Sequence, residues 1–327
     1  MSPSSPKLRP SGSKAASMAS IVVAFACLYI CWGTTYTAIR VGVGAIPALL
    51  LAGVRFLISG VILLAWCRWR GLKIAHPPRA LFSEAITALL LLGASNVSLV
   101  YAEKTLPSGL AALSYAVIPL YVALVEMLLP GGETLSARGW LAILLGFAGL
   151  GALLWPSMRA AVAGSAAVSW ALVAVFGGAF SWTVGSIYSR HARRTVPVFV
   201  AAGWQMLIAG IFNTALGSAL GEWPQAHLTR AAAISMLYLI TGGSLVGYSA
   251  FVFLLEHVPV AKVTTYNWVN PMIAVLVGAF LLHERLVSTE LAGMAAIIVA
   301  VILLTTSQIR TKGEPDSIEE LEQLPAD

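Results

Sequence analysis

Long runs of apolar residues alternate with short polar segments along most of this 327-residue chain. We count ten runs of roughly 17–25 residues, the length that an α-helix needs to cross a bilayer core of about 30 Å. The alternating pattern of a membrane β-barrel is absent. The chain is therefore predicted to be an all-α polytopic membrane protein with ten transmembrane helices. The predicted spans are 19–43, 48–67, 83–102, 106–129, 137–155, 168–189, 196–219, 231–254, 261–282 and 287–307.

The runs fall into two similar halves. Pro47 and Gly53 in the second span match Pro197 and Gly203 in the seventh at an offset of 150 positions. Each half has five spans, and this odd number makes the second half enter the membrane from the opposite side. Inverted repeats are typical of secondary transporters, which hold substrates near the midplane. The predicted organisation is a polar N-terminal tail, two five-helix repeats and an acidic, disordered C-terminal tail, at 1–18, 19–155, 168–307 and 308–327.

Two prolines occupy matching places in the two halves, each near the middle of an apolar run. Pro119 and Pro271 are 152 positions apart. Proline removes a helical hydrogen bond and frees the carbonyl four residues back, which belongs to Tyr115 in one half and to Asn267 in the other. Matched helix breaks in a duplicated membrane protein indicate a ligand site. We therefore predict a substrate site where these two breaks meet.

Composition excludes an ordinary soluble fold. Hydrophobic residues make up 58% of the chain, charged residues make up 10%, and the mean hydropathy is +0.85, whereas soluble domains have about a quarter charged residues. The net charge of +6 comes from basic residues spread over many loops. This distribution suits contact with anionic lipid and implies no nucleic-acid partner. The three cysteines lie in predicted spans without neighbouring histidines or carboxylates, so no metal site is expected.

The distribution of lysine and arginine predicts the orientation. With the N-terminus inside, fourteen basic residues fall on the inner side and five on the outer side. Basic residues mark cytoplasmic loops, so both termini are predicted to lie in the cytoplasm of a bacterium whose inner membrane holds the protein. The apolar run after the basic N-terminal segment is too long for a signal-peptide core and is interpreted as the first span.

Polar and aromatic side chains inside the spans are the candidate substrate contacts, because polar groups at that depth cost free energy unless they meet partners or water. The ninth span carries four of them just before Pro271, and Trp32 and Trp182 repeat each other between the halves. Hydrogen bonding between helices is the alternative role. The predicted substrate contacts are Trp32, Arg55, Asn96, Tyr101, Tyr115, Trp182, Tyr266, Asn267, Trp268 and Asn270.

Two of the charged residues inside predicted spans are candidates for a functional role. Arg55 lies roughly 10 Å from the outer end of the second span. Its guanidinium would attract a carboxylate if it faces a cavity, or it would reach toward the membrane surface or form a structural ion pair. Glu126 lies near the cytoplasmic end of the fourth span and is the candidate for coupling to an ion gradient. The alternative is a carboxylate at a helix end that contacts water.

The chain contains no phosphate-binding loop, zinc-protease helix motif, nucleophile elbow or dinucleotide fingerprint. We therefore expect no enzymatic activity and no cofactor. Transport would be driven by a gradient or be passive, because no ATP-binding motif is present. A membrane enzyme or sensor, the alternative from another class, would need a cluster of titratable residues or a soluble domain, and neither is visible in the sequence.

Several motifs, in order, resemble the drug/metabolite transporter superfamily, and within it the EamA-type exporters. They include Cys31-Trp32-Gly33-Thr34, Arg55-Phe56, and Asn270-Pro271 leading into Glu284-Arg285-Leu286. The likeness covers about residues 19–307. It implies two EamA-like repeats, ten helices, alternating access and a central cavity lined by both halves. It also implies export of amino acids, other small metabolites or drugs.

These observations together predict an inner-membrane exporter of amino acids or related small metabolites. It would act in the lipid bilayer as a monomer or homodimer on a small-molecule substrate. The nearest alternative is multidrug or organic-cation efflux. A cationic substrate would need an acidic group in the cavity, and Glu126 is the one candidate that the sequence suggests.

Overall fold

The computed structural model describes residues 17–106, 111, 114–130, 132–161, 166–192, 196–282, 288–307 and 309–311. Its helices are α1 (Met18–Val43), α2 (Ala48–Trp69), α3 (Pro78–Ala102), α4 (Ile118–Leu128), α5 (Ala137–Ala161), α6 (Ala166–His191), α7 (Val198–Ala219), α8 (Arg230–His257), α9 (Val260–Val263), α10 (Tyr266–Leu282) and α11 (Ser288–Thr306). Two short strands are β1 (Glu133–Leu135) and β2 (Ile309–Thr311), and a 3₁₀ turn covers Trp223–Gln225.

The helical, membrane-spanning character predicted from the apolar runs is confirmed. Helices α1, α2, α3, α7, α8 and the part of α6 from Trp170 to His191 are long and apolar enough to cross a membrane. Shorter apolar helices are α4 and the stretches Ala137–Leu153 and Leu291–Thr306. The number of ten spans and the cytoplasmic location of both termini stay predictions.

Helices α2 and α7 occupy matching places in the two halves and pack directly against each other. A Cβ atom added to Gly60 would lie under 3.0 Å from the backbone of Leu207, and one added to Gly210 would lie under 3.0 Å from the backbone of Leu57. Both contacts join the same two repeat positions, so the packing is reciprocal. Residue numbers rise along one helix as they fall along the other. The matched helices are therefore antiparallel, as an inverted repeat requires, and their glycines form packing faces.

Helices α3 and α8 each contain a π-helical segment, Leu89–Ser95 in one and Leu239–Tyr248 in the other. The two segments begin 150 positions apart, the same offset that relates the repeats. π-Helical turns are rare and occur frequently at functional sites. This pair of distortions was not predicted from the sequence, and it displaces the side chains that follow each segment relative to a regular helix.

The two matched prolines occupy different places in their helices. Pro119 is the second residue of α4, after a turn at Ala116 and Val117. Its missing N–H costs little there, because the first N–H groups of a helix have no partner within the helix. Pro271 lies inside α10, which begins at Tyr266. The second break therefore precedes Tyr266 and does not fall at Pro271 as predicted.

Part of the predicted disordered tail is ordered. Residues Ile309–Thr311 form β2, which pairs with β1 in an antiparallel register that places Thr311 opposite Glu133. The backbone groups of β1 give this segment partners that its composition does not reveal. The rest of the tail, from 312, and the N-terminal residues 1–16 lie outside the described residues.

Candidate substrate-binding cavity

A cavity lies between the two halves. The volume that a water-sized molecule can occupy in it is about 60 Å³, so the cavity is narrow and holds only a few water molecules. Its walls come from α1, α2 and α3 of the first half and from α6, α8 and α10 of the second half, with Tyr115 just before α4. Eight of the ten predicted substrate contacts line it, namely Trp32, Arg55, Asn96, Tyr115, Trp182, Tyr266, Asn267 and Asn270.

The other two predicted contacts do not line this cavity. Tyr101 is 40% exposed, and its hydroxyl lies 3.4 Å from Oε1 of Glu222. Trp268 is fully buried, but its Nε1 donates to the carbonyl of Ala116 at 3.2 Å and its ring packs against Gly146. Consecutive helical residues point about 100° apart, so Trp268 faces the protein interior behind the cavity wall. Tyr101 and Trp268 therefore lie outside the cavity, and their contact with substrate stays a prediction.

Aromatic rings form one wall of the cavity. The centroids of the repeat-matched Trp32 and Trp182 rings are 5.5 Å apart in an edge-to-face arrangement, and Tyr266 lies 4.8 Å from Trp32. Phe251 packs behind them, 5.2 Å from Trp32 and 5.1 Å from Trp182. The Nε1 atom of Trp32 donates to the carbonyl of Gly243 at 2.9 Å, within the π-helical part of α8. Both halves thus contribute to this apolar surface.

Arg55 faces the cavity and does not extend toward the membrane surface. It is 3% exposed, and its Nη2 donates to Oδ1 of Asn96 at 2.9 Å. Its Nε has no hydrogen-bond partner within the part of the chain that the structure describes. The matching pair in the second half is Gln205 and Tyr248, in which the tyrosine hydroxyl donates to Oε1 of Gln205 at 2.6 Å. The same two repeat positions therefore carry a charge in one half and none in the other.

Two amides at the start of α10 present acceptors at the cavity wall. Asn267 and Asn270 are each 1% exposed, and Nδ2 of Asn267 donates to the carbonyl of Thr264 at 3.1 Å. Oδ1 of each has no hydrogen-bond partner among the described residues. Buried polar atoms normally have partners, so these acceptors are suited to a ligand that supplies N–H groups. Their use in substrate binding stays a prediction.

Glu126 lies away from the cavity lining. Its side chain is buried, its Oε2 accepts a hydrogen bond from the backbone N–H of Glu133 at 2.9 Å, and its Oε1 is 3.9 Å from Nδ1 of His191. Glu133 in turn lies 3.7 Å from Nε of Arg190. Burial is the main cause that raises the pKa of Glu133, and the Arg190 charge opposes it. Glu126 therefore positions β1, while its predicted coupling role stays untested.

Three buried acids were not predicted. Glu222 is 5% exposed, and its Oε2 accepts a hydrogen bond from the backbone N–H of Leu50 at 3.0 Å. Glu84 is 5% exposed and accepts a hydrogen bond from Nε2 of Gln205. Glu103, fully buried, directly follows the last residue of α3. In the sequence Glu103 stands beside Lys104 at the end of an apolar run, and so it resembles an ordinary loop residue. Its burial against the neighbouring helices arises from tertiary packing, which the sequence pattern does not reveal.

A multi-pass membrane protein with two inverted helical repeats around a central cavity has the architecture of a secondary transporter. The EamA-like transporter family matches both halves, at residues 19–155 and 169–306. The chain belongs to the EamA-like transporter family, and the resemblance seen in its motifs is confirmed.

Individual relatives agree with this assignment. Over 290 residues the chain is 35% identical to the uncharacterized inner membrane transporter YedA of Escherichia coli (strain K12), covering 88% of this chain and 91% of YedA. It is 26% identical to the uncharacterized transporter YvbV of Bacillus subtilis (strain 168), covering 92% and 96% of the two chains. A solved crystal structure superposes with a TM-score of 0.73 at 22% identity, covering 88% of this chain and 97% of the other. That structure supports the fold alone.

Proposed function

We propose that this protein is a bacterial inner-membrane transporter that exports amino acids or related small metabolites by alternating access. The observation that carries the proposal is the combination, in one cavity, of a buried guanidinium, unpaired amide acceptors and aromatic walls. The inner-membrane location follows from the likeness to YedA, which is named an inner membrane transporter.

The chemistry of the cavity matches the parts of an amino acid. The Arg55 guanidinium suits a carboxylate, since such charge-assisted hydrogen bonds are among the strongest in proteins. The Oδ1 atoms of Asn267 and Asn270 suit an ammonium group, which has only donors. The faces of Trp32 and Trp182 suit an apolar side chain, or they add to ammonium binding through cation–π attraction.

Two matched arginines favour alternating access. Nη1 of Arg40, near the end of α1, donates to the backbone carbonyls of Glu103 and Leu106, just beyond α3. Nη1 of Arg190, near the end of α6, donates to the carbonyls of Leu255 and Glu256 in the last turn of α8. We call these two sets of arginine–carbonyl hydrogen bonds the Arg40 clamp and the Arg190 clamp. In an inverted repeat they lie at opposite membrane faces. We infer that releasing one clamp while the other holds opens the cavity to one side at a time.

Efflux of organic cations is the second candidate. The aromatic wall formed by Trp32 and Trp182 would bind a quaternary ammonium group. Glu103, buried just beyond the end of α3, supplies an acid that the sequence did not suggest. The Arg55 charge opposes a cation in this cavity, and so we favour the amino-acid substrate.

Counterflow in proteoliposomes tests the proposal. Vesicles containing purified protein and one unlabelled amino acid are diluted into the same radiolabelled amino acid, and each amino acid is tested in turn. We expect transient accumulation for at least one of them. Tyr101→Phe serves as the control variant, because Tyr101 lies outside the cavity and the change should leave counterflow unaltered. If no amino acid shows counterflow and a quaternary ammonium dye is transported, organic-cation efflux would replace amino-acid export as the proposed function.

Uptake into everted membrane vesicles tests the direction of transport. Export corresponds to accumulation inside everted vesicles in the presence of an ion gradient. Accumulation only in right-side-out vesicles would contradict export and leave the substrate assignment intact.

A further inference from the structure

Glu103 is a buried acid without a satisfying partner. Its exposure is 0%, and both carboxylate oxygens lack a hydrogen-bond partner within the described part of the chain. None of the ion pairs found among the described residues involves it. An isolated ionised carboxylate in such surroundings is costly, and the group takes up a proton instead. Glu103 is therefore suited to exist in two charge states.

The charged and ionisable groups within electrostatic range of the Glu103 carboxylate come from three neighbouring parts of the first half. They are Tyr36 and Arg40 of α1, Arg55 of α2, and Tyr115 ahead of α4. Burial raises the pKa of the Glu103 carboxyl well above its usual range, and the charges of Arg40 and Arg55 oppose this rise. Glu103 lies just past the membrane-crossing helix that ends at Ala102.

The two arginines differ in their availability. Nη1 of Arg40 is held by the backbone carbonyls of Glu103 and Leu106. Arg55 lines the cavity, and its Nε has no hydrogen-bond partner among the residues described. Arg55 also bonds Asn96, which precedes Glu103 by seven residues, about two turns along the same face of α3. We therefore expect the Arg55 charge to be the one that both Glu103 and a ligand in the cavity neutralise.

We propose that Glu103 makes the binding of an anionic substrate group at Arg55 depend on a proton. When Glu103 is protonated, the Arg55 charge is uncompensated and attracts a carboxylate. When a proton leaves Glu103 for solvent, its own carboxylate neutralises Arg55 and the anion binds more weakly. The linkage is reciprocal, so a bound carboxylate also favours protonation of Glu103. This inference rests on the proposed function because both use the same cavity.

The other buried acids are placed differently. Oε2 of Glu84 accepts a hydrogen bond from Nε2 of Gln205, and Oε2 of Glu126 accepts one from the backbone N–H of Glu133. Oε2 of Glu222 likewise accepts one from the backbone N–H of Leu50 at 3.0 Å. Glu103 has no such donor within the described residues. We therefore expect a change in the charge of Glu103 to act electrostatically on the Arg55 guanidinium.

Benzoate and benzamide separate the charge of a ligand from its shape. Calorimetric titration of the purified protein with each compound, as the pH falls from about 8.5 to about 5.5, gives the two affinities. We expect benzoate to bind wild-type protein about tenfold more tightly at the lower pH, which corresponds to about 1.4 kcal/mol. The affinity for benzamide should stay constant.

Glu103→Gln keeps the size of the side chain and removes its charge. We expect this variant to bind benzoate at every pH with the affinity that wild-type protein shows at low pH. The matched control is Glu256→Gln, because Glu256 is exposed near the corresponding end of α8. That control should keep the wild-type pH dependence. A second variant, Arg55→Gln, should lose benzoate binding at every pH and keep benzamide binding.

An unchanged pH dependence in Glu103→Gln would overturn the inference, as would the absence of benzoate binding to wild-type protein. If Glu103→Gln does not fold, infrared spectra of wild-type protein with and without benzoate test the proton linkage instead. Benzoate should then increase the protonated-carboxyl band, and no increase would refute the linkage. Failure of amino-acid counterflow with intact benzoate linkage would remove the proposed substrate alone. Intact counterflow without pH linkage would remove the role of Glu103 alone.

Discussion

The two halves of the protein share a backbone plan and differ in chemistry at the centre. In the first half Arg55 pairs with Asn96, and in the second half Gln205 pairs with Tyr248 at the same repeat positions. Amide acceptors at the cavity wall come from Asn267 and Asn270, while the first half contributes mainly Tyr115 at the matching break. The two halves therefore share a scaffold, and each half contributes a different set of polar groups to the cavity.

The features that are kept alike in both halves concern packing and movement. The π-helical segments of α3 and α8, the reciprocal glycines of α2 and α7, and the two arginine clamps all have counterparts. A transporter that works by the proposed alternating access would need similar packing and hydrogen bonds at both ends. It needs only one set of groups to recognise the substrate.

The largest effect is expected when the central difference between the halves is removed. Arg55→Gln gives the first half the side chain that the second half carries, and it removes the one guanidinium that lines the described cavity. Because loss of a buried charged partner costs about 2–5 kcal/mol, we expect the apparent affinity for an amino acid in counterflow to fall about 100-fold. Gln205→Asn is the control at the matching position. A change of less than about threefold in Arg55→Gln would show that the charge does not contact substrate.

The next effect concerns the packing that both halves share. Gly60→Val and Gly210→Val each place a side chain against the backbone of the facing helix. Overpacking typically costs about 1–3 kcal/mol, so both variants should lower the melting temperature in detergent by similar amounts. Gly177→Val is the control, because a Cβ at Gly177 meets nothing within 4 Å. Tolerance of one variant and not the other would contradict reciprocal packing.

Smaller and opposite effects are expected from the two clamps. Arg40→Gln and Arg190→Gln each weaken hydrogen bonds to two carbonyls, worth about 1 kcal/mol, and so shift the populations of the two open states about fivefold. A cysteine at Thr35, which lines the cavity, reports access to a membrane-impermeant thiol reagent in a background without other cysteines. Labelling should rise from one membrane side in Arg40→Gln and from the other in Arg190→Gln. An increase from the same side in both variants would refute matched gates.

The smallest effect on transport is expected at Trp268. Trp268→Phe removes the hydrogen bond to the carbonyl of Ala116 and leaves the cavity lining intact. We expect a loss of about 1 kcal/mol in stability, measured by thermal melting, and less than a twofold change in substrate affinity. Trp182→Phe, at the cavity wall, is the comparison and should weaken binding more. A larger loss of affinity in Trp268→Phe would show that Trp268 contributes to substrate binding.

Much of this architecture follows from the sequence because apolar length and internal repetition have direct physical meaning. The spans, the repeat offset and most cavity residues, such as Trp32 and Asn267, are predictable from depth and polarity. The directions in which the Tyr101 and Trp268 side chains point are not predictable in this way. A polar residue in a span finds its hydrogen-bond partners either in a cavity or on a neighbouring helix. Glu103 is hidden for a similar reason, since its burial depends on helices distant in sequence.

The central claim is that the cavity between the repeats binds an amino acid through its carboxylate. Counterflow of a radiolabelled amino acid, measured with an excess of either the unlabelled amino acid or its amide outside the vesicles, tests this most directly. We predict that wild-type protein accumulates the label, that the amino acid inhibits this accumulation, and that the amide, which lacks the carboxylate, inhibits it at least about tenfold less. Equal inhibition by the amide, or an unchanged apparent affinity in Arg55→Gln, would show that the carboxylate is not bound in this way.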